Sequence, residues 1–238
     1  MHIFVPHLNQ EKISITGDDY FHITRSLRKN VGDTMILVSL SDDFFAEAKI
    51  VEMNKKLLVM KVLKKVAKPA KDKPAIILMQ AITKRTKMEL VLQKATELGV
   101  DKIIPLKTKY IVPKADEVNL KRWETIIREA AMQSRRFFIP ELGTPLDIKN
   151  LTFIKKQYQP LFCLAETQSG LNLKEYLTGL NRNIDSIAVI IGAEGGFSQE
   201  ELFNMKKEEI PLVSFGRTIL RAETAAISTL SVLRWFFL

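Results

Sequence analysis

The sequence predicts two domains of different class: a β-rich N-terminal domain, then an α/β domain built on a parallel sheet. Three observations predict this. Short apolar runs recur through the first part of the chain, a lysine- and proline-rich stretch follows, and beyond it apolar runs alternate with helical patterns.

In the first domain, strands are expected at residues 3–5, 13–15, 35–38, 44–50 and 57–62, spaced like those of a small barrel. Gly32-Asp33 and Ser41-Asp42-Asp43 supply turns, and residues 20–28 read as a helix carrying His22, Arg25 and Arg28, with Lys29 next. Residues 64–74 hold two prolines and few apolar side chains, which reads as a linker. The boundary is placed near residue 72, giving domains of 1–72 and 73–238.

In the second domain, residues 76–82 form a nearly continuous apolar run, as in a strand covered on both faces. Met88, Val91, Leu92 and Ala95 fall on one face of a helix over 87–98, which Gly99 stops. A strand at 103–106 completes a βαβ unit and implies a parallel sheet. Further strands are expected at 161–164, 187–191 and 212–215. Helices are expected at 119–138, 173–180, 199–208 and 223–237.

Composition narrows the function. The formal charge of +9 favours polyanionic partners, because neutralising phosphates releases condensed counterions. No run of about eighteen apolar residues suggests a membrane span. The N-terminal stretch lacks a basic n-region and a cleavable apolar segment, so no signal peptide is expected and the cytoplasm is the expected location. The single cysteine, Cys163, lies in an apolar run and reads as a buried small hydrophobe. His2, His7 and His22 all lie in the first domain, and no Cys/His cluster exists, so no metal site is expected.

The most informative segments lie toward the C-terminus. Gly192-Ala193-Glu194-Gly195-Gly196-Phe197-Ser198 follows the strand at 187–191, and Ser198 with Glu201 forms a capping-box pattern, stapled by Phe197 and Leu202. Glycines there permit positive φ angles and close backbone approach, which serves either a bound ligand or a bare strand–helix turn. Phe197 stands where a phosphate-binding P-loop requires lysine, and a dinucleotide fingerprint belongs on the first βα turn of a sheet, so neither site fits. Leu220-Arg221-Ala222-Glu223-Thr224-Ala225 opens the last helix in the same strand-to-helix manner. On the helix over 119–138, Arg128, Arg135 and Arg136 would be neighbours across about two turns, beside Gln133 and Ser134.

Four segments in this order resemble the ribosomal RNA small-subunit methyltransferase E family, whose members methylate N3 of a 16S rRNA uridine. They are Lys84-Arg85-Thr86-Lys87-Met88-Glu89 with Gln93-Lys94-Ala95-Thr96-Glu97-Leu98-Gly99, then Gln133-Ser134-Arg135-Arg136, then the glycine turn, then Arg217 with the 220–225 segment. His22, Leu27-Arg28 and Gly32-Asp33 extend the likeness to the N-terminal part. The resemblance implies a SPOUT-type trefoil-knotted α/β methyltransferase domain, a PUA-like RNA-binding barrel, and a homodimer acting on 16S rRNA of the small ribosomal subunit. It also implies S-adenosylmethionine (SAM) as cofactor. Carried onto this chain, the cofactor residues are Leu164, Ala165, Glu166, Ile191, Gly192, Glu194, Gly196, Ile219, Leu220, Arg221, Thr224 and Ala225. Arg221, Glu223 and Arg136 are the candidate catalytic residues, and Arg25, Arg28, Lys29, Arg128, Arg135 and Arg136 the RNA-binding ones. Met132 replaces the family's usual glutamate, Arg135 a usual glycine, and Ala193 a common proline. Another SPOUT activity, on tRNA or 23S rRNA, and a non-catalytic RNA-binding assembly factor are the alternatives. Retention of both the glycine turn and the Arg221 segment speaks against the latter.

Overall fold

The structure, a computed structural model, describes residues 1–110, 118–165 and 171–237. The chain forms two compact units, Met1–Ala70 with Ala131–Phe138, and Lys71–Ala130 with Ile139–Leu238.

The first unit contains β1 (His2–Val5), β2 (Lys12–Ile15), α1 (Gly17–Phe21), β3 (Thr34–Ser39), β4 (Phe44–Met53) and β5 (Leu58–Ala67). They form a five-stranded sheet in the order β1-β3-β4-β5-β2. β1 runs parallel to β3, and the other neighbours are antiparallel. Alternating residues explain the packing: Ala46, Ala48 and Ile50 of β4 are buried, whereas Glu47 and Lys49 face out. The expected helix over 20–28 is instead α1 followed by a π-helical turn, His22–Ser26, after which Arg28 takes φ 52°. The expected linker is shorter than its composition suggests. Lys64 and Lys65 continue β5, opposite Glu47 and Ala46, because pairing with the long β4 satisfies their backbone whatever their polarity.

The second unit contains β6 (Ala75–Ala81), α2 (Arg85–Glu97), β7 (Lys102–Lys107), α3 (Leu120–Gln133), β8 (Glu141–Leu142), β9 (Leu146–Asp147), α4 (Leu151–Gln157), β10 (Leu161–Leu164), β11 (Leu171–Asn172), α5 (Leu173–Thr178), β12 (Ser186–Ile191), α6 (Gln199–Lys207), β13 (Leu212–Ser214) and α7 (Ala222–Phe237), with α3 ending in the first unit. All sheet pairs are parallel, in the order β11-β13-β10-β12-β6-β7-β8, with β9 also on β7. Apolar clusters cover both faces. Phe162, Val189 and Leu78 point to one, with α2 and α7, and Cys163, Ile190 and Met79 to the other, with α4 and α6. That two-sided cover explains the unbroken apolar runs of β6 and β12. Cys163 is fully buried, and burial pushes its thiol pKa up, as expected of a packing residue.

The expected helix over 119–138 ends early. Arg136 N–H donates to Ala131 O (3.0 Å) and Arg135 N–H to Met132 O (3.3 Å), with Arg135 at φ 57°. This is a Schellman stop with arginine at the left-handed position. Arg135 and Arg136 therefore leave the helix that carries Arg128 and are not its helical neighbours.

Candidate functional site

Parallel register brings the expected cofactor segments to one sheet edge. Leu164 pairs with Ile191 and Val213, and Ile191 with Gln80, so the ends of four adjacent strands lie level. The chain leaves all of them on the same side, at the carboxyl edge where open parallel sheets place their ligands. Leu164 and Leu220 pack against the cluster that includes Ile191 and Ala225, forming one apolar wall.

The glycine turn is heavily tied. The Ser198 side chain accepts the Glu201 N–H, and Glu201 Oε2 accepts from Ser198 N–H (2.7 Å) and Oγ–H (3.0 Å), which closes the expected capping box. Glu201 Oε1 also accepts Lys109 N–H at 2.7 Å, fastening the exit of β7 to the start of α6. Of the three glycines expected to use positive φ, only Gly196 does (67°), and Gly196 N–H closes the turn on Ala193 O. Gly192 and Gly195 sit where space is tight instead. A Cβ on Gly192 would lie 3.1 Å from the Phe197 ring, and one on Gly195 3.1 Å from Tyr110 Cβ.

Three polar features at this edge escape a reading of local sequence. Gln80 is fully buried and donates from Nε2 to Ala81 O (3.0 Å) and Gly192 O (3.3 Å), holding the first carbonyl of the glycine turn. Lys87, in the first turn of α2, pairs with both Glu194 and Glu223. Glu223 Oε2 is buried without a hydrogen-bond partner among the described residues. Lys87 stood in one of the recognised segments, yet only the fold shows which carboxylates it meets.

The approach to α7 is open by comparison. Ile219 is 75% exposed, Arg221 and Thr224 are exposed, and the Arg221 carbonyl accepts the first helical bond, from Ala225 N–H. The expectation for Glu166 lies outside the described residues. A separate apolar hollow of about 780 Å³ lies between α5, the residues after β13 and α7, lined by Leu173, Leu177, Phe215, Val232, Trp235 and Phe236.

In the first unit, two basic residues far apart in sequence act on one group, the chain's amino terminus. The positive charges of Lys29 and Arg135 both act on the Met1 amino group and lower its pKa, after burial as the largest cause. His2 Nδ1–H donates to Arg136 O at 3.0 Å, and the His2 ring lies 4.7 Å from that of Phe137, which also meets Phe45. Met132, in place of the family's carboxylate, is only 3% exposed, so an apolar side chain packs there. Arg25 stacks over Phe21, 4.6 Å from its ring centre.

Fold and site together define an RNA methyltransferase. The RNA methyltransferase domain family matches residues 71–234, and the RNA methyltransferase PUA domain family matches residues 15–63. The chain belongs to the ribosomal RNA small subunit methyltransferase E family. It is 32% identical over 225 residues to that enzyme from Rickettsia conorii, covering 94% of this chain and 89% of the relative. The Bacillus subtilis enzyme is 26% identical over 229 residues, covering 93% and 89%. Among solved structures, a Legionella pneumophila methyltransferase bound to its cofactor SAM superposes with a TM-score of 0.86 at 30% identity, covering 98% of this chain and 96% of that one. A Neisseria gonorrhoeae family member bound to SAM gives 0.85 at 20% identity, covering 99% and 97%, a likeness of fold.

Proposed function

We propose that this protein transfers the methyl group of SAM to N3 of a uridine in 16S rRNA, at position 1498 in the usual numbering. The observation that carries the site is the level set of strand ends at Gln80, Leu164, Ile191 and Val213, which delivers the glycine turn to the edge where α7 begins. The residues present suit such a cofactor. Leu164, Ile191 and Leu220 would enclose an apolar ring, turn backbone would read its polar edge, and Glu223 Oε2, ion-paired with Lys87, has no hydrogen-bond partner among the described residues and is open to a donor. Thr224, Ala225, Ala165 and Ile219 complete the proposed contact set.

When bound, SAM supplies an electrophilic methyl group. Uracil N3–H is a weakly acidic imide, so the nitrogen attacks only as its proton leaves and charge grows on O2 and O4. Arg221, exposed at the start of α7, is proposed to stabilise that charge, and Glu223 to take the proton. Arg25, Arg28, Lys29, Arg128, Arg135 and Arg136 hold phosphates, with Arg135 or Arg136 of a partner subunit as a further source of positive charge. The reading further assigns the SPOUT knot to residues 73–238, a PUA-like RNA-binding role to residues 1–72, and the cytoplasm as the place of action. A homodimer would cover the hollow beside α7, where Trp235 is 81% exposed.

The test is methylation of small-subunit RNA with labelled SAM, followed by nucleoside identification. Label in N3-methyluridine supports the reading, and label in another nucleoside overturns it. Arg221→Lys is expected to keep SAM affinity yet lose most of the single-turnover rate, since an ammonium cannot reproduce the guanidinium's fixed fork of donors. Turnover at the wild-type rate would make Arg221 structural.

A further inference from the structure

Lys87 lies where three elements meet. Its Nζ stands 3.3 Å from Glu194 Oε1 of the glycine turn and 3.7 Å from Glu223 Oε2 at the start of α7. The three side chains are largely covered, at 29%, 23% and 14% exposure for Lys87, Glu194 and Glu223, so solvent screens these pairs less than surface ones. The Glu194 carboxyl titrates below its ordinary range. Burial works to raise it, but hydrogen bonds from its own backbone N–H and from Lys87, together with the Lys87 charge, outweigh burial.

We propose that Lys87 is a positioning residue for the cofactor site, a single ammonium that ties the glycine turn to the start of the last helix. The inference rests on the SAM reading above. Without Lys87, two carboxylates on opposite walls of the site would face one another with no cation between them. Their repulsion would part the turn from α7, and the buried Oε2 of Glu223 has no hydrogen-bond partner among the described residues. Lys87 is assigned no contact with reacting atoms, and because its partner Glu223 is the proposed proton acceptor, the test reads cofactor binding rather than turnover.

The experiment is calorimetric SAM binding to the full chain carrying Lys87→Met, Lys87→Arg, Glu194→Gln, or Lys87→Met with Glu194→Gln. Lys87→Met should weaken binding about ten-fold, as for a partly covered charge pair, while Lys87→Arg, which keeps the charge, recovers most of it. The double variant should lose less than the sum of the two single losses, because the pair acts as a unit. Wild-type affinity in folded Lys87→Met, no rescue by arginine, or strictly additive losses would each overturn the proposal. Should Lys87→Met fail to fold, Glu194→Gln and Lys87→Arg decide it: the first must weaken SAM binding and the second must not. If the unaltered protein binds no SAM, the cofactor reading itself has failed, an outcome distinct from these.

Discussion

The two strand-to-helix connections at the proposed cofactor edge are built to different standards. The turn after β12 is fixed by the Ser198–Glu201 box, the Glu201–Lys109 bond, the Gly196 turn and the Lys87 ion pair. The connection from β13 to α7 is exposed through residues 215–219, with Leu220 the side chain that packs inward. One wall is preformed and the other stands open. A site of this kind is expected to bind by ordering its open wall, at a cost in conformational entropy on that side alone.

The largest expected effect comes from breaking the preformed wall. Gly196→Val forces a β-branched residue into φ 67°, and no atom of the described residues crowds its Cβ, so the penalty is backbone strain of about 2–3 kcal/mol. SAM binding should become undetectable by calorimetry, and unchanged affinity in a folded variant would remove the turn from the site. Glu201→Ala comes next. It strips partners from the Lys109 and Ser198 N–H groups and should lower unfolding free energy by about 3 kcal/mol in denaturant titration. A loss under about 1 kcal/mol would mean that the turn holds its shape without the cap.

The contrast itself is sharpened by hydrogen exchange. Residues 215–221 should exchange faster than residues 192–198 in the free protein, and SAM should slow the former far more than the latter. Equal protection of both before SAM is added would erase the distinction. On the proposed RNA-binding side, reversing Arg25, Arg28 and Lys29 to glutamate should weaken RNA binding and flatten its salt dependence by about 0.7–0.9 per lost phosphate contact, with SAM affinity kept. An unmoved slope would leave this segment a solvated face. The smallest effect belongs to Arg135→Gly, which relieves a left-handed arginine and should stabilise the fold by about 1 kcal/mol or less.

Helix ends show what the sequence could reveal. α2 and α3 stop with the same hydrogen-bond pattern, Val100 N–H to Ala95 O and Gly99 N–H to Thr96 O in one, Arg136 to Ala131 and Arg135 to Met132 in the other. Gly99 announced the first stop, and a Cβ there would also meet the Arg234 guanidinium at 3.0 Å. Arg135 as a residue type gave no such sign, although the family's usual glycine at that position did, and so the apolar pattern appeared to run on to Phe138. Its conformation is held by packing of the following residues, Phe137 on His2 and Phe45, which no local rule contains. The cofactor edge divides in the same way. Strand ends and caps follow from period and capping chemistry, so Ile191, Gly192 and Ser198 were legible. Lys87, Gln80 and the Lys109 bond depend on which strands become neighbours, and the order β10-β12-β6 is a long-range fact. The short β8, β9 and β11 passed unseen because strands of two residues carry no period.

The proposed reaction is methylation of N3 of one 16S rRNA uridine. Primer extension on 16S rRNA from a strain lacking the gene tests it most directly, since N3 methylation blocks base pairing and halts the polymerase. A stop at position 1498 is expected in parent RNA, to disappear in the deletion strain, return with the wild-type chain, and stay weak or absent with Arg221→Lys. A stop that persists in the deletion strain would contradict it.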